Sequence, residues 1–202
     1  MSARYYTSDP HFGHKFLACD IRGFVTVEDH DAQLIENWNK TVKPEDMVII
    51  AGDYSLRNPT QTTWPDVNRL NGRKILVSGN HDGCWNGHRE ARRMHQAYLD
   101  AGFENIMDYM RLKLDGVQVL ISHFPYDGDH TPDDRSPQYR LRDYGIPLIH
   151  GHTHESYKIS FSEAGTLQLH VGMDANNLTP VHESAIIEVL RMKQRFDEGL
   201  DV

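Results

Sequence analysis

The order of apolar segments predicts an α/β protein with two packed, mixed β-sheets flanked by helices. Two observations carry this. Over the first half, short apolar runs alternate with helical stripes in a β-α-β-α-β-α order, which favours a sheet with helices on its faces. Over the second half, short strands follow one another with no long helix between them, so a second sheet packs on the first. No stretch between the halves has linker composition. Residues 1–190 are therefore expected to form one domain, followed by a charged, fraying tail over 191–202.

Each element has its own signal. Residues 3–7 read as a strand leading into Asp9. Residues 28–40 carry Leu34, Ile35 and Trp38 at helical spacing, with Thr26 as N-cap. Residues 47–51, Met-Val-Ile-Ile-Ala before Gly52, form a continuous β-branched run of the kind found in buried parallel strands. A second helix is expected from Asn58-Pro59 to about Leu70, then a buried strand over 74–78 closed by Gly79. Residues 88–101 place Ala91, Met94, Ala97, Tyr98 and Ala101 on one helical stripe. Residues 106–114 and 117–122 read as a hairpin turning at Asp115-Gly116. Strands are expected at 146–150, 157–161, 167–171 and 184–190. The polar stretch 126–145 has no periodicity and reads as a long functional or mobile loop.

Composition narrows the function classes. The net charge of −8 argues against tight binding of long nucleic acids, which needs a basic surface. No apolar run approaches the ~20 residues that span a bilayer, and Met1-Ser2-Ala3-Arg4-Tyr5-Tyr6 lacks the apolar core of a signal peptide. Cys19 and Cys84 form no metal or disulfide pattern, as expected of a reducing cytoplasm. The oddity is 13 histidines in 202 residues, since histidine is the commonest metal-ligating side chain.

Several of those histidines fall in five short segments that follow apolar runs: Asp9-Pro-His11, Gly52-Asp53, Gly79-Asn80-His81-Asp82, His123, and Gly151-His152-Thr153-His154. Singly, most are ordinary turn chemistry. Together, all at strand ends, they are expected to converge, because ligands of open α/β sheets gather at the carboxyl ends of the strands. On an extended chain His152 and His154 would point to the same side. Nitrogen and oxygen ligands without sulfur suit Mn, Fe, Zn, Co or Ni better than Mg or Ca.

These five segments resemble the calcineurin-like metallophosphoesterases, whose pattern is D-x-H, G-D, G-N-H-[DE], H, G-H-x-H. The likeness spans roughly residues 4–175. The stretches Tyr6-Thr7-Ser8-Asp9-Pro10-His11-Phe12-Gly13-His14, Arg22-Gly23-Phe24, Asn37-Trp38-Asn39 and Ser122-His123-Phe124-Pro125 look like the small phage and bacterial branch. The resemblance implies a four-layer α-β-β-α sandwich and two divalent ions, Mn2+ foremost, about 3.5 Å apart. Asp9, His11 and His154 would hold one ion and Asn80, His123 and His152 the other, with Asp53 bridging. A hydroxide between the ions would attack phosphorus, and His81 would protonate the leaving group. Asp82 either holds the His81 ring in one tautomer or caps a helix. His14 and Arg22 either contact a phosphate or base, or are a solvated histidine and a surface ion pair. His150 is expected to be buried and structural. His30, His88, His95, His130, His170 and His182 are expected at the surface or in packing, and Arg89, Arg92 and Arg93 on a solvated face.

A short chain with an open site fits a small phosphodiester in the cytoplasm, of the host if phage-encoded. Nucleoside 2′,3′-cyclic phosphates come before 3′,5′-cyclic nucleotides. The alternatives are a small nuclease, a phosphomonoesterase, or a non-catalytic scaffold on the same fold. The substrate-binding residues and the oligomeric state are not legible.

Overall fold

The computed structural model describes residues 2–55, 67–129, 131 and 133–200. Its strands are β1 (Arg4–Thr7), β2 (Met47–Ile50), β3 (Arg73–Val77), β4 (Phe103–Met107), β5 (Met110–Leu114), β6 (Val117–Ile121), β7 (Leu148–His150), β8 (Ile159–Phe161), β9 (Leu167–His170) and β10 (Val181–His182). The α-helices among the described residues are α1 (Val27–Thr41), α2 (Ala91–Asp100) and α3 (Glu183–Asp197).

The strands form two five-stranded mixed sheets. The first runs β10-β1-β2-β3-β4, parallel except for the antiparallel β1–β10 pair. The second runs β5-β6-β7-β9-β8, with a parallel centre and antiparallel pairs at both edges. Period-two alternation in the first sheet decides what packs where. Tyr5, Val48, Ile50 and Leu76 face Leu34, Ile35 and Trp38 of α1 and Tyr98 of α2. Tyr6, Ile49, Ala51 and Val77 face the second sheet's Val119, Ile121, Ile149 and Leu169. The expected pair of packed sheets flanked by helices is therefore present.

Local chemistry explains the boundaries. The Thr26 side chain accepts the N–H of Asp29 and caps α1. Asp115 and Gly116, at φ 47° and 88°, make the tight turn between β5 and β6. Three expectations need correction. Residues 106–114 are two strands, because the chain leaves the first sheet after Met107 and enters the second at Met110. Residues 184–190 are helical. The apolar run of Ile186, Ile187 and Val189 suggested a strand, but Ile186 and Leu190 bury one helical stripe and the His182 side chain accepts the N–H of Ser184 at the N-cap. That helix continues to Asp197, through much of the stretch read as a fraying tail. The helix expected from Asn58 lies outside the described residues up to 66, and Val67–Arg69 at its end form a 3₁₀ turn. His130 also lies outside the described residues. Among the described residues no helix is long and apolar enough to cross a membrane.

Candidate metal centre

Five loops leave carboxyl strand ends and meet at one place. The loop after β1 brings Asp9 and His11, and that after β2 brings Asp53. Asn80 and His81 follow β3, His123 follows β6, and His152 and His154 follow β7. The backbone there is unusual. Asp9, His11, Asp53, His152 and His154 all have φ between 51° and 72°. Such left-handed conformations are costly for residues with a Cβ and concentrate at functional sites. This overturns the extended-chain argument for His152 and His154, because left-handed turns, not a pleat, aim their rings.

Two motif glycines are required by space. A Cβ on Gly79 would fall 2.3 Å from Asp53 Oδ1, and one on Gly151 would fall 1.8 Å from Ser8 Oγ and 2.4 Å from Asp9 Oδ2.

The side chains form two adjoining groups. In one, ligand-type atoms of Asp9, His11 and His154 lie within 4.8 Å of one another. In the other, those of Asp9, Asp53 and His123 do so. Asp9 thus reaches both groups, whereas the expectation placed it with only one. His123 Nε2 is 3.1 Å from Asn80 Oδ1, 3.4 Å from Asp53 Oδ2 and 3.2 Å from His152 Nδ1. His11 Nε2 is 3.6 Å from Asp53 Oδ2. All seven expected ligand residues are therefore gathered.

The donor set fits a cation. Asp9 Oδ1 and His11 Nε2 are fully buried and have no hydrogen-bond partner. They lie 3.8 Å apart, the other carboxylate oxygen of Asp9 accepting the N–H of His152 at 2.9 Å. Buried polar atoms without partners are rare, and here they converge. Burial, opposed in part by Asp53, holds the His11 ring well below its ordinary pKa, so that it offers a lone pair. Burial also acts on His123, but the neighbouring Asp53 carboxylate outweighs it and raises the ring to about 9. Burial would raise Asp53, yet His123 and His11 draw it well below the carboxylate range.

Asp82 takes neither expected role. Its oxygens accept the N–H groups of Asp53, Gly79 and Tyr54 at 2.9, 2.9 and 3.0 Å. Burial and the Asp53 charge push its carboxyl up to about 7. It ties two site loops together and does not touch the His81 ring. That ring lies 5.1 Å from the ring of His11 and 6.0 Å from that of His14, in a half-exposed position at the mouth of the site. His14 is also half-exposed, its Nδ1 3.4 Å from His11 Nδ1.

Arg22 forms a buried ion pair, not a surface one. Its side chain is 4% exposed, and it donates to Asp174, to Asp9 O and to Pro10 O. Its guanidinium also lies 2.9 Å from His30 Nε2. His150 is buried as expected. Its ring stacks 5.3 Å from that of His170, and burial together with His170 lowers it to about 3. His88 Nε2 donates to Asn80 O at 2.8 Å, behind an expected ligand.

Two carboxylates at the centre lie outside the five segments. Asp174 Oδ2 is 2.8 Å from His154 Nδ1, and Asp129 Oδ1 is 3.2 Å from His152 Nε2. Asp174 follows β9, and the rule that strand ends carry site residues could have found it. Asp129 sits in the long loop, where nothing in the sequence singles it out.

Comparison with known proteins agrees with this geometry. The Gene 66 protein of Mycobacterium phage D29 is 41% identical over 213 residues, covering 99% of this chain and 100% of that protein. The Gene 66 protein of Mycobacterium phage L5 is 41% identical over 189 residues, covering 87% and 88%. The crystal structure of an Aquifex aeolicus protein of unknown function superposes with a TM-score of 0.66 at 25% identity, covering 94% of this chain and 100% of that one. Residues 7–190 match the family model of the calcineurin-like phosphoesterase superfamily domain. With that match, the phage relatives and candidate ligands at the strand ends where the motif requires them, the chain belongs to the calcineurin-like phosphoesterase superfamily.

Proposed function

We propose that this protein is a metal-dependent phosphodiesterase acting on small phosphodiesters, with nucleoside 2′,3′-cyclic phosphates ahead of 3′,5′-cyclic nucleotides. The observation that carries the reading is the pair of buried, partnerless ligand atoms, Asp9 Oδ1 and His11 Nε2, inside a ring of imidazoles and carboxylates. Asp9, His11 and His154 would hold one divalent ion, and Asn80, His123 and His152 the other. Asp53 would touch both. Mn2+ suits the oxygen and nitrogen donors. The chemistry such ions supply when bound is polarisation of the phosphoryl oxygens and acidification of water.

The remaining work falls to the chain. Asp53 and Asp9 offset the repulsion between two cations, and neutral imidazoles complete the shells without over-neutralising them. His81 stands at the mouth, beside His11, where it delivers a proton to the departing alkoxide oxygen. A wall of rings adjoins the centre and supports a base-bearing substrate. Phe124 is 4.8 Å from His152, Trp85 is 5.8 Å from Phe124, and Tyr139 is 4.6 Å from Trp85 and 46% exposed. The net charge of −8 keeps long nucleic acids outside the proposal. The setting proposed is the cytoplasm.

The test is hydrolysis of a bis-aryl phosphodiester, an aryl phosphomonoester and 2′,3′- and 3′,5′-cyclic AMP, with Mn2+ or with chelator. Metal-dependent turnover of diesters, lost in Asp53→Ala, is the expected result. Turnover of the monoester alone would make the protein a phosphomonoesterase. Absence of both turnover and bound metal would make it a scaffold.

A further inference from the structure

Behind each histidine of the Gly-His-Thr-His segment stands a carboxylate that the motif does not contain, and the two carboxylates face opposite ring nitrogens. His154 turns Nδ1 to Asp174 Oδ2 at 2.8 Å and Nε2 toward Asp9 Oδ1 at 4.0 Å. His152 has Nε2 3.2 Å from Asp129 Oδ1, an ion-pair distance off the line of a hydrogen bond, and Nδ1 toward His123 Nε2 at 3.2 Å. A neutral imidazole has one N–H and one lone pair. A carboxylate at one nitrogen fixes the N–H there and leaves the other nitrogen for a cation.

Both carboxylates are themselves anchored. Asp174 receives the Arg22 guanidinium through two parallel bonds of 2.8 and 2.9 Å. The same guanidinium donates to Asp9 O at 2.8 Å and Pro10 O at 3.1 Å. One buried arginine therefore sets Asp174 and the backbone that carries Asp9 in a common frame. The Asp129 side chain is 0% exposed and accepts from the Arg135 guanidinium at 3.1 Å and its backbone N–H at 3.2 Å. The loop that carries both residues is pinned where it begins. The Tyr126 N–H donates to Gln168 Oε1 and the Tyr126 hydroxyl to Ile146 O, each at 2.7 Å.

We infer that Asp174 and Asp129 are the positioning residues of the two halves of the metal centre. Asp174 holds His154 with Nε2 toward Asp9 and His11. Asp129, delivered by the long loop, holds His152 with Nδ1 toward Asn80 and His123. The inference rests on the proposal that these ligands bind two divalent ions. It makes the loop part of the centre and gives adjacent histidines of one motif opposite tautomers.

The test is calorimetric titration of the metal-free protein with Mn2+, for the wild type, Asp174→Asn and Asp129→Asn, and for each variant combined with His154→Ala or His152→Ala. Each single variant is expected to weaken one of two sites by about 10–100-fold. Asp174→Asn should add no further loss to His154→Ala but should add fully to His152→Ala, and Asp129→Asn should show the reverse. A purely structural role would produce no such pairing. Two sites titrating as in the wild type in both variants would overturn the inference, as would equal additivity with both histidines. A wild type that binds no Mn2+ would overturn the metal reading beneath it. Should Asp174→Asn fail to fold, with Arg22 left unpaired, the Asp129→Asn cycle decides.

Discussion

The Asp82 carboxylate accepts the backbone N–H of Asp53 at 2.9 Å, locking the loop after β3 to the loop after β2. It also accepts the N–H groups of Gly79 and Tyr54, so one buried side chain satisfies three backbone donors. Asp82→Ala would remove the carboxylate acceptor from all three. The expected loss is about 3 kcal/mol or more in a denaturant titration of the metal-free protein.

His81→Ala separates proton delivery from metal binding. Turnover of cyclic nucleotides should fall by about 10²–10⁴-fold, the usual range for general acid–base groups. A bis-aryl diester, whose leaving group departs without a proton, should be far less affected. The Mn2+ content should match that of the wild type, since the His81 ring is not among the candidate ligands and lies beside those of His11 and His14. Equal losses on both substrates would exclude the role of acid.

Gly79→Ala tests the packing of the centre. Its Cβ would lie 2.3 Å from Asp53 Oδ1 and 2.7 Å from Asp53 N. Asp53 must move, at a cost of about 1–3 kcal/mol. Thermal unfolding should show that loss together with reduced Mn2+ content, whereas Gly116→Ala, at a turn open to solvent, should leave the Mn2+ content unchanged.

Tyr139→Ala should raise KM for cyclic nucleotides and leave kcat unchanged. The exposed ring lies beyond Trp85 and Phe124, away from the reacting atoms. Base stacking on an aromatic side chain contributes about 1–3 kcal/mol, which sets the scale of the shift. Steady-state kinetics on 2′,3′-cyclic AMP reads it directly.

His170 gives the fold an acid limit. Burial lowers its pKa, so the folded protein keeps it neutral where the unfolded chain, with an ordinary value of about 6.5, takes up a proton. Its contribution is fully present above that value and is lost progressively as pH falls below it. Melting temperatures of metal-free wild type and His170→Gln, measured from pH 7.5 to 5, should converge or cross at the acid end. A constant difference across that range would remove His170 from the account.

Most of the expected site could be read from the sequence because a strand-end motif is local: residue types and spacing lie within four or five positions of one another. That is why the convergence of the candidate ligand residues and the strands β1, β2 and β3 were legible, down to the Thr26 cap. What was hidden depends on distant partners. Asp82 looks like a capping residue until Asp53 and Tyr54 are placed beside it. Arg22 looks like a surface charge until Asp174, 152 positions away, meets it. The run from Ser184 to Leu190 is β-branched enough to suggest a strand, and the burial of Ile186 with Leu190 selects the helix. The change of sheet between Met107 and Met110 is a tertiary event that leaves no periodic signal.

The gathered residues come from both layers of the sandwich. The first sheet sends Asp9, His11, Asp53 and Asn80, and the second sends His123, His152 and His154. A cation shared among them would act as a rivet through the seam, and small slippage of one layer over the other would be felt as a distorted coordination shell. Loading would stabilise the fold by mass action, about 2.7 kcal/mol at a metal concentration 100 times the dissociation constant. That gain would register first along the Ile49–Ile149 interior, where slowed amide exchange would report that the two layers had been fastened together.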